Sequence, residues 1–394
     1  PDSVYRGDIS MNISKKKWMM YCGIVAAVVV ASFAVPALAD GPSYEDLRAR
    51  LDAAEARIAS LQPAPSQLDI DRADAVKSLI RDVLADADAR TMLQGNGNPV
   101  TVNVHGFAQT RYSYSGGGDD ESNHGFSIPR ARLILSGDLF DWEYKVSGQW
   151  SDSNTTFDLM DAYAQGGLFG GTLRVGQFKS PFMREVLVAQ QDTLMTDRSI
   201  VSNQFGQGRS QGVQWSKDFG MLDFAGAYTD GFDTANGAGV QNGQAFTARV
   251  GADVTNWWNV GAAISWNDLV DTSYTTYTVD TKVSTGGLDL TAAYVATSGD
   301  AGDNWGTTVQ AGYMCMDDFQ GFVAFEYGEL EGISENLSTF TVGGNYFINS
   351  NIKWTTDLSY ALNGINGAWD LGDTGLRAGD SGEYVVRTQI QVSF

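Results

Sequence analysis

Tyr384-Val-Val-Arg-Thr-Gln-Ile-Gln-Val-Ser-Phe394 alternates apolar with polar residues up to the final aromatic. Side chains of a strand point to opposite faces in turn, so Tyr384, Val386, Ile390, Val392 and Phe394 share one face and Arg387, Gln389, Gln391 and Ser393 the other. A half-buried strand of a soluble sandwich can read this way. A cation and two amides in a row on the polar face favour a wall between lipid and a water-filled lumen. Phe394 is read as the barrel-assembly terminus, with the barrel-assembly machinery as its partner.

The same grammar recurs upstream. Trp142, Tyr144, Val146, Gly148 and Trp150 alternate with Glu143, Lys145, Ser147, Gln149 and Ser151, and Ile352, Trp354, Thr356, Leu358 and Tyr360 alternate with Lys353, Thr355, Asp357 and Ser359. Strands are predicted to begin near residues 101, 125, 140, 156, 170, 209, 221, 243, 257, 276, 287, 304, 319, 337, 351 and 382, with 276–285 the weakest of them. Short links such as Phe140-Asp141 alternate with longer Gly/Asp/Asn stretches such as 115–124. An even count with short turns at one rim and long loops at the other predicts an all-β fold, a 16-stranded antiparallel transmembrane β-barrel in the bacterial outer membrane, with lipid around it.

Ahead of the barrel, residues 1–39 read as leader and signal peptide: Lys15, Lys16 and Lys17, an apolar run over 23–35, and Ala37-Leu-Ala39 before a cleavage point at Asp40. Residues 40–99 read as a short helical periplasmic segment. Leu47, Leu51, Ala54, Ile58 and Leu61 form a heptad seam, either a short coiled coil or one amphipathic helix packed on its own domain. The barrel is placed at 100–394. Glycine (45), aromatics (10 Trp, 16 Tyr, 19 Phe) and few prolines (8) suit many strands joined by tight turns. A net charge of -21 argues against nucleic acid as a partner.

One connection, residues 179–208, is too long for an idle loop. Its apolar Phe182, Val186, Leu187, Val188 and Leu194 need cover, which predicts an inward fold across the lumen rather than an external lid.

Val175-Gly-Gln-Phe-Lys-Ser-Pro-Phe-Met-Arg-Glu185 with Leu194-Met-Thr-Asp-Arg198, and Gly343-Gly-Asn-Tyr-Phe-Ile-Asn-Ser-Asn-Ile-Lys353, resemble the constriction loop and the near-terminal hairpin of the phosphate-selective porin O and P family. The resemblance implies a trimer, a third loop folded into the channel, and passive diffusion of ions and small hydrophilic solutes, with oxyanions such as phosphate among them. Lys179 falls at the motif's lysine and Arg198 at its late arginine; Arg184 and Arg209 add positive charge that the motif does not specify. Glu185, Asp192 and Asp197 oppose them, so the loop is close to neutral.

From residue 97 onward 15 Lys and Arg face 34 Asp and Glu. Sorted by face, Arg111, Arg130, Arg132, Lys145, Arg174, Arg249, Lys353 and Arg387 point to the lumen against Glu143, Asp161, Asp223, Asp289, Glu326, Asp357 and Glu383. The inner wall is thus nearly balanced and the acid excess lies in the loops. Arg130, Arg132 and Arg174 either line an anion path with Lys179 and Arg198 or pair with Glu143 and Asp161 to brace the wall. The chain has only two histidines, His105 and His124, and no Cys/His spacing for a metal, so no enzyme, cofactor or metal site is predicted. A structural barrel tethered to the cell wall, with little conductance, is the alternative to a diffusion channel.

Overall fold

The structure is a computed structural model that describes residues 101–117, 122–151, 154–237, 243–269 and 272–394. The leader, the signal peptide and the helical segment read over 40–99 lie outside the described residues.

Sixteen antiparallel strands close into one barrel. They are β1 (Asn103–Gly116), β2 (Asn123–Leu139), β3 (Trp142–Ser151), β4 (Asn154–Leu168), β5 (Gly171–Lys179), β6 (Arg209–Asp218), β7 (Leu222–Thr229) and β8 (Gln244–Thr255), then β9 (Trp258–Leu269), β10 (Thr272–Thr285), β11 (Leu288–Gly299), β12 (Asn304–Met316), β13 (Phe319–Glu329), β14 (Leu337–Asn349), β15 (Ile352–Ala361) and β16 (Tyr384–Ser393). Every strand pairs with its sequence neighbour, and β16 closes on β1 in a register running from Phe107 opposite Ser393 to Gly116 opposite Tyr384. Gly106 and Phe394 exchange both backbone hydrogen bonds, at 2.9 and 3.0 Å, which extends that seam by one pair.

The expected starts agree with the observed ones to within two residues, apart from β10, which begins at Thr272 rather than near 276. Its first residues are polar on both faces, so alternation gives no signal there. They pair nonetheless with β9, Thr272 opposite Leu269 and Tyr274 opposite Asn267.

Burial follows the alternation. Val146, Ile264, Val279 and Ile390 stand exposed on the outer face, while Arg387, Gln389 and Gln391 are buried on the inner one. An apolar outer wall around a polar interior is stable only where lipid is the outer solvent. Aromatic rings join side to side near the loop rim: Tyr228, Phe246 and Trp266 across β7 to β9, and Tyr277, Tyr294, Trp305 and Tyr327 across β10 to β13. At the other rim the links are tight turns. Gly286 and Gly287 both take positive φ, as a two-residue type I′ turn requires.

Within β2, Pro129 has no N–H for the ladder. The pairing slips there, Gln109 lying opposite Arg130 but Arg111 opposite Ser127, and the bulge absorbs the missing donor. Arg130 and Arg132 keep their inward direction below it.

Candidate pore constriction

The third loop (residues 180–208) is built from its apolar groups outward. After β5 it forms two short helices, α1 (Arg184–Leu187) and α2 (Ile200–Phe205), the second capped by Ser199, whose Oγ accepts from the Ser202 amide at 3.0 Å. Phe182, Met183, Val186, Ile200, Val201 and Phe205 are buried in a cluster with inner-wall Val295, Leu337 and Val385. Each such side chain removed from water contributes about 1.5–3 kcal/mol, enough to hold a loop in a polar lumen. Polar clamps set its height. Thr196 donates through its amide (3.0 Å) and hydroxyl (2.8 Å) to Asp357 on β15; the Val201 amide donates to Glu326 on β13; Lys353 Nζ donates to the carbonyls of Gln191 and Thr193.

A second long connection joins this cluster. Residues 362–383, the eighth loop, contribute Ile365, Trp369 and Leu376, with Trp369 meeting Phe205 edge-on at 6.2 Å and the Asp370 amide donating to Gln204 at 2.7 Å. This participant is absent from the sequence reading. The signal was available: about twenty residues between strands, carrying Ile365, Trp369, Leu371 and Leu376, meet the same length and apolarity tests as the third loop.

The lumen cations fall into two sets by what they bond. The first set is committed to carboxylates. Arg111 donates to Gln389 (3.0 Å), to the Thr196 carbonyl (2.8 Å) and to the Asp373 carbonyl (2.7 Å), with Asp197 at 3.4 Å. Arg130 Nη2 lies 3.0 Å from both Asp197 Oδ1 and Asp373 Oδ2. Arg387 pairs with Asp357 at 2.7 Å and donates to the Thr374 carbonyl at 2.6 Å. On the opposite wall Asp280 takes both Arg249 and Arg184, each at 2.6 Å. Asp161 takes Arg209 at 2.8 Å and Lys145 at 3.3 Å.

The second set, Arg132, Arg174, Lys179, Arg198 and Lys353, bonds neutral acceptors and is partly buried. Arg132 donates to Gln149 at 3.1 Å and lies over the Phe107 ring. Arg174 donates to Gln165 at 2.9 Å and stacks 4.3 Å from the centroid of Tyr163. Lys179 and Arg198 both reach the Val188 carbonyl, at 3.0 and 2.9 Å. Stacking and amide bonds fix the plane of a guanidinium without neutralising it.

Of the two arrangements open in the sequence, pairing of Arg130, Arg132 and Arg174 with Glu143 and Asp161 does not form: Arg130 takes Asp197 and Asp373, and the other two bond amides. Glu143 accepts from Gln165 at 2.7 Å, and Asp161 serves Arg209 and Lys145. Two of the loop's three acids are turned inward: Glu185 accepts from Ser199 (amide 2.8 Å, hydroxyl 2.6 Å) and from Ser202 Oγ (2.6 Å), and Asp197 is buried between Arg111 and Arg130, whereas Asp192 is exposed. Burial alone raises the Asp197 carboxyl; Arg130, Arg111 and Arg387 outweigh it and hold it at about 2. Burial lowers the Arg198 guanidinium to about 10, against the pull of Glu185.

On the turn-rim side of the third loop a cavity of about 530 Å³ is bordered by Arg184, Asp192, Lys282, Asp289 and Lys353, with the amides Gln310, Gln320, Asn345 and Gln391. Lys282 shares the inner face of β10 with Asp280 and is a lumen cation that the sorting by face left out.

Comparison with known proteins bears on the family and the fold. A family model described as Gram-negative porin matches residues 26–366. Among curated proteins, none matches the sequence. An anion-selective porin from Comamonas acidovorans superposes with a TM-score of 0.60 at 14% identity, over 75% of this chain and 100% of that one. OmpF of Salmonella typhi in complex with daunomycin gives 0.60 at 13%, over 74% and 97%. OmpT of Vibrio cholerae in its trimer form gives 0.55 at 12%, over 75% and 99%.

Proposed function

Because the chain belongs to the Gram-negative porin family, and so forms an outer-membrane channel for passive diffusion of solutes, we propose that its constriction prefers small hydrophilic anions. One observation carries this reading: Arg132, Arg174, Lys179 and Arg198 are partly buried and bond neutral acceptors, while the nearby acids Asp161, Asp197 and Glu185 are occupied by cations or by the loop's own hydroxyls. Charges within about 8–10 Å of a permeating ion dominate at physiological salt, so these four outweigh the acidic outer loops.

Oxyanions such as phosphate suit the arrangement, since Arg132, Arg174 and Arg198 each present planar guanidinium donors. Kinship with the phosphate-selective porins rests on the Lys179 and Arg198 positions of the loop motif. The functional unit in this reading is a homotrimer, as the Vibrio cholerae relative is in its trimer form. Assembly through the strand ending at Phe394 by the barrel-assembly machinery belongs to the same proposal. As a channel of this family it performs no catalysis, and His105 and His124 are given no chemical role.

Planar-bilayer recording tests the reading. Purified protein should give trimer-like conductance steps, with a reversal potential across a salt gradient on the anion side. K179E and R198E should each move it toward cations. Absence of steps favours the closed structural barrel, and steps whose selectivity ignores both substitutions remove these side chains from the narrow point.

A further inference from the structure

The eighth loop reaches the constriction with a carboxylate. Asp373 Oδ2 sits 3.0 Å from Arg130 Nη2, the same nitrogen that Asp197 approaches at 3.0 Å. Its backbone carbonyl accepts from Arg111 at 2.7 Å, and the carbonyl of the next residue, Thr374, accepts from Arg387 at 2.6 Å. Three buried guanidiniums of the wall thus hold one dipeptide of a loop. The two carboxylates on Arg130 differ in kind. Asp197 is enclosed, with 3% of its side chain exposed, and is fixed from its own loop by Gln190 and the Arg198 amide; Asp373 is 45% exposed.

Resting on the anion-channel reading above, we propose that Asp373 is a tethered competitor for permeating anions, occupying on Arg130 the position that a free oxyanion or carboxylate would take. Its segment is seated rather than draped. Trp369 and Leu376 are buried on either side of it, and Gly372, at a φ of +51°, lets the backbone pass so close to Asn203 of α2 that a side chain at 372 would collide with its amide. The competitor is therefore held at one height, and a fourth arginine site in the narrow zone is self-occupied. The chemical class of ligand follows from what the loop supplies to Arg130 and Arg111, a carboxylate and a carbonyl oxygen: small anions with two oxygen acceptors, such as phosphate or a short carboxylate. The Asp373 carboxyl is also shifted upward, first by burial and then by the charge of Asp197, as expected of the weaker of two carboxylates sharing one cation.

The test is the reversal potential of D373N trimers in a planar bilayer at about 0.1 M salt, against D380N, which removes the same charge from the same loop at an exposed position. D373N should raise the anion-to-cation permeability ratio about two- to fivefold, the scale of one unit charge a few ångströms away in water, and D380N should leave it near the wild-type value. With inorganic phosphate added to a chloride solution, D373N should lose chloride current at lower phosphate than wild type does. D373S, smaller and uncharged, should shift in the same direction. Equal shifts in D373N and D380N, or none in D373N and D373S, overturn the proposal while the channel reading stands. Wild-type protein without conductance steps overturns both.

Discussion

Arg387 and Asp357 meet at 2.7 Å across the β15–β16 pair, with almost none of either side chain exposed. The second oxygen of Asp357 receives the amide and hydroxyl of Thr196, so one wall ion pair is also the seat of the third loop. D357N keeps the shape and removes the charge, leaving Arg387 buried and uncompensated. A loss of about 3–5 kcal/mol in denaturant unfolding from detergent is expected, together with noisier single-channel current. Unchanged stability would mean that the pair is not what seats the loop.

Arg132 and Arg174 should act on selectivity and little on stability, because each bonds an amide and an aromatic face rather than a carboxylate. R132Q and R174Q are each expected to lower the anion-to-cation permeability ratio about twofold at about 0.1 M salt, with the difference shrinking toward 1 M as screening shortens. A shift independent of salt would point to altered pore shape instead.

Trp369 anchors the eighth loop on the third. W369A should cost about 3–5 kcal/mol of local anchoring, and hydrogen exchange should report it. Amides of residues 363–379 should lose protection while those of the strands keep theirs. Loss of protection throughout the barrel would show that the loop is part of the global fold.

Two carboxyls near Arg130 should titrate in separate ranges. Asp197 is depressed to about 2, so its stabilising charge is complete above the free carboxyl value of about 4 and is lost as pH falls through about 2. Asp373 is shifted the other way: the folded state takes up its proton more readily, and protonation relieves repulsion from Asp197 and Asp370 while giving up attraction to Arg130 and Arg111. On acidification anion selectivity should rise first, as Asp373 is neutralised with the third loop still seated, and the loop should loosen only near pH 2. D373N should abolish the first step and keep the second. Reversal potentials between about pH 7 and 3 check the first step, since that window spans ordinary carboxyl titration, and single-channel noise carried down to about pH 2 checks the second.

How much was legible depended on the range of the interaction that carried the information. Trp142 to Ser151 alternates because neighbouring residues of a strand face opposite ways, a property of local backbone geometry, and fifteen of the sixteen strand starts follow from it. The apolar Phe182 and Val186 in a connection of about thirty residues likewise mark a segment that needs cover. The same test applied to residues 362–383 would have marked the eighth loop.

The face of each charge was therefore open to inspection in the sequence by itself: a barrel wall, a lumen carrying both signs, and a loop too apolar to stay in water. Only the tertiary structure decided which charges cancel. Arg111 meets the Asp373 carbonyl across 262 positions, and Arg130 meets the Asp373 carboxylate across 243. Pairing of that kind follows from barrel closure and loop packing, which bring distant residues within 3 Å, whereas alternation records only which side of the wall a residue is on.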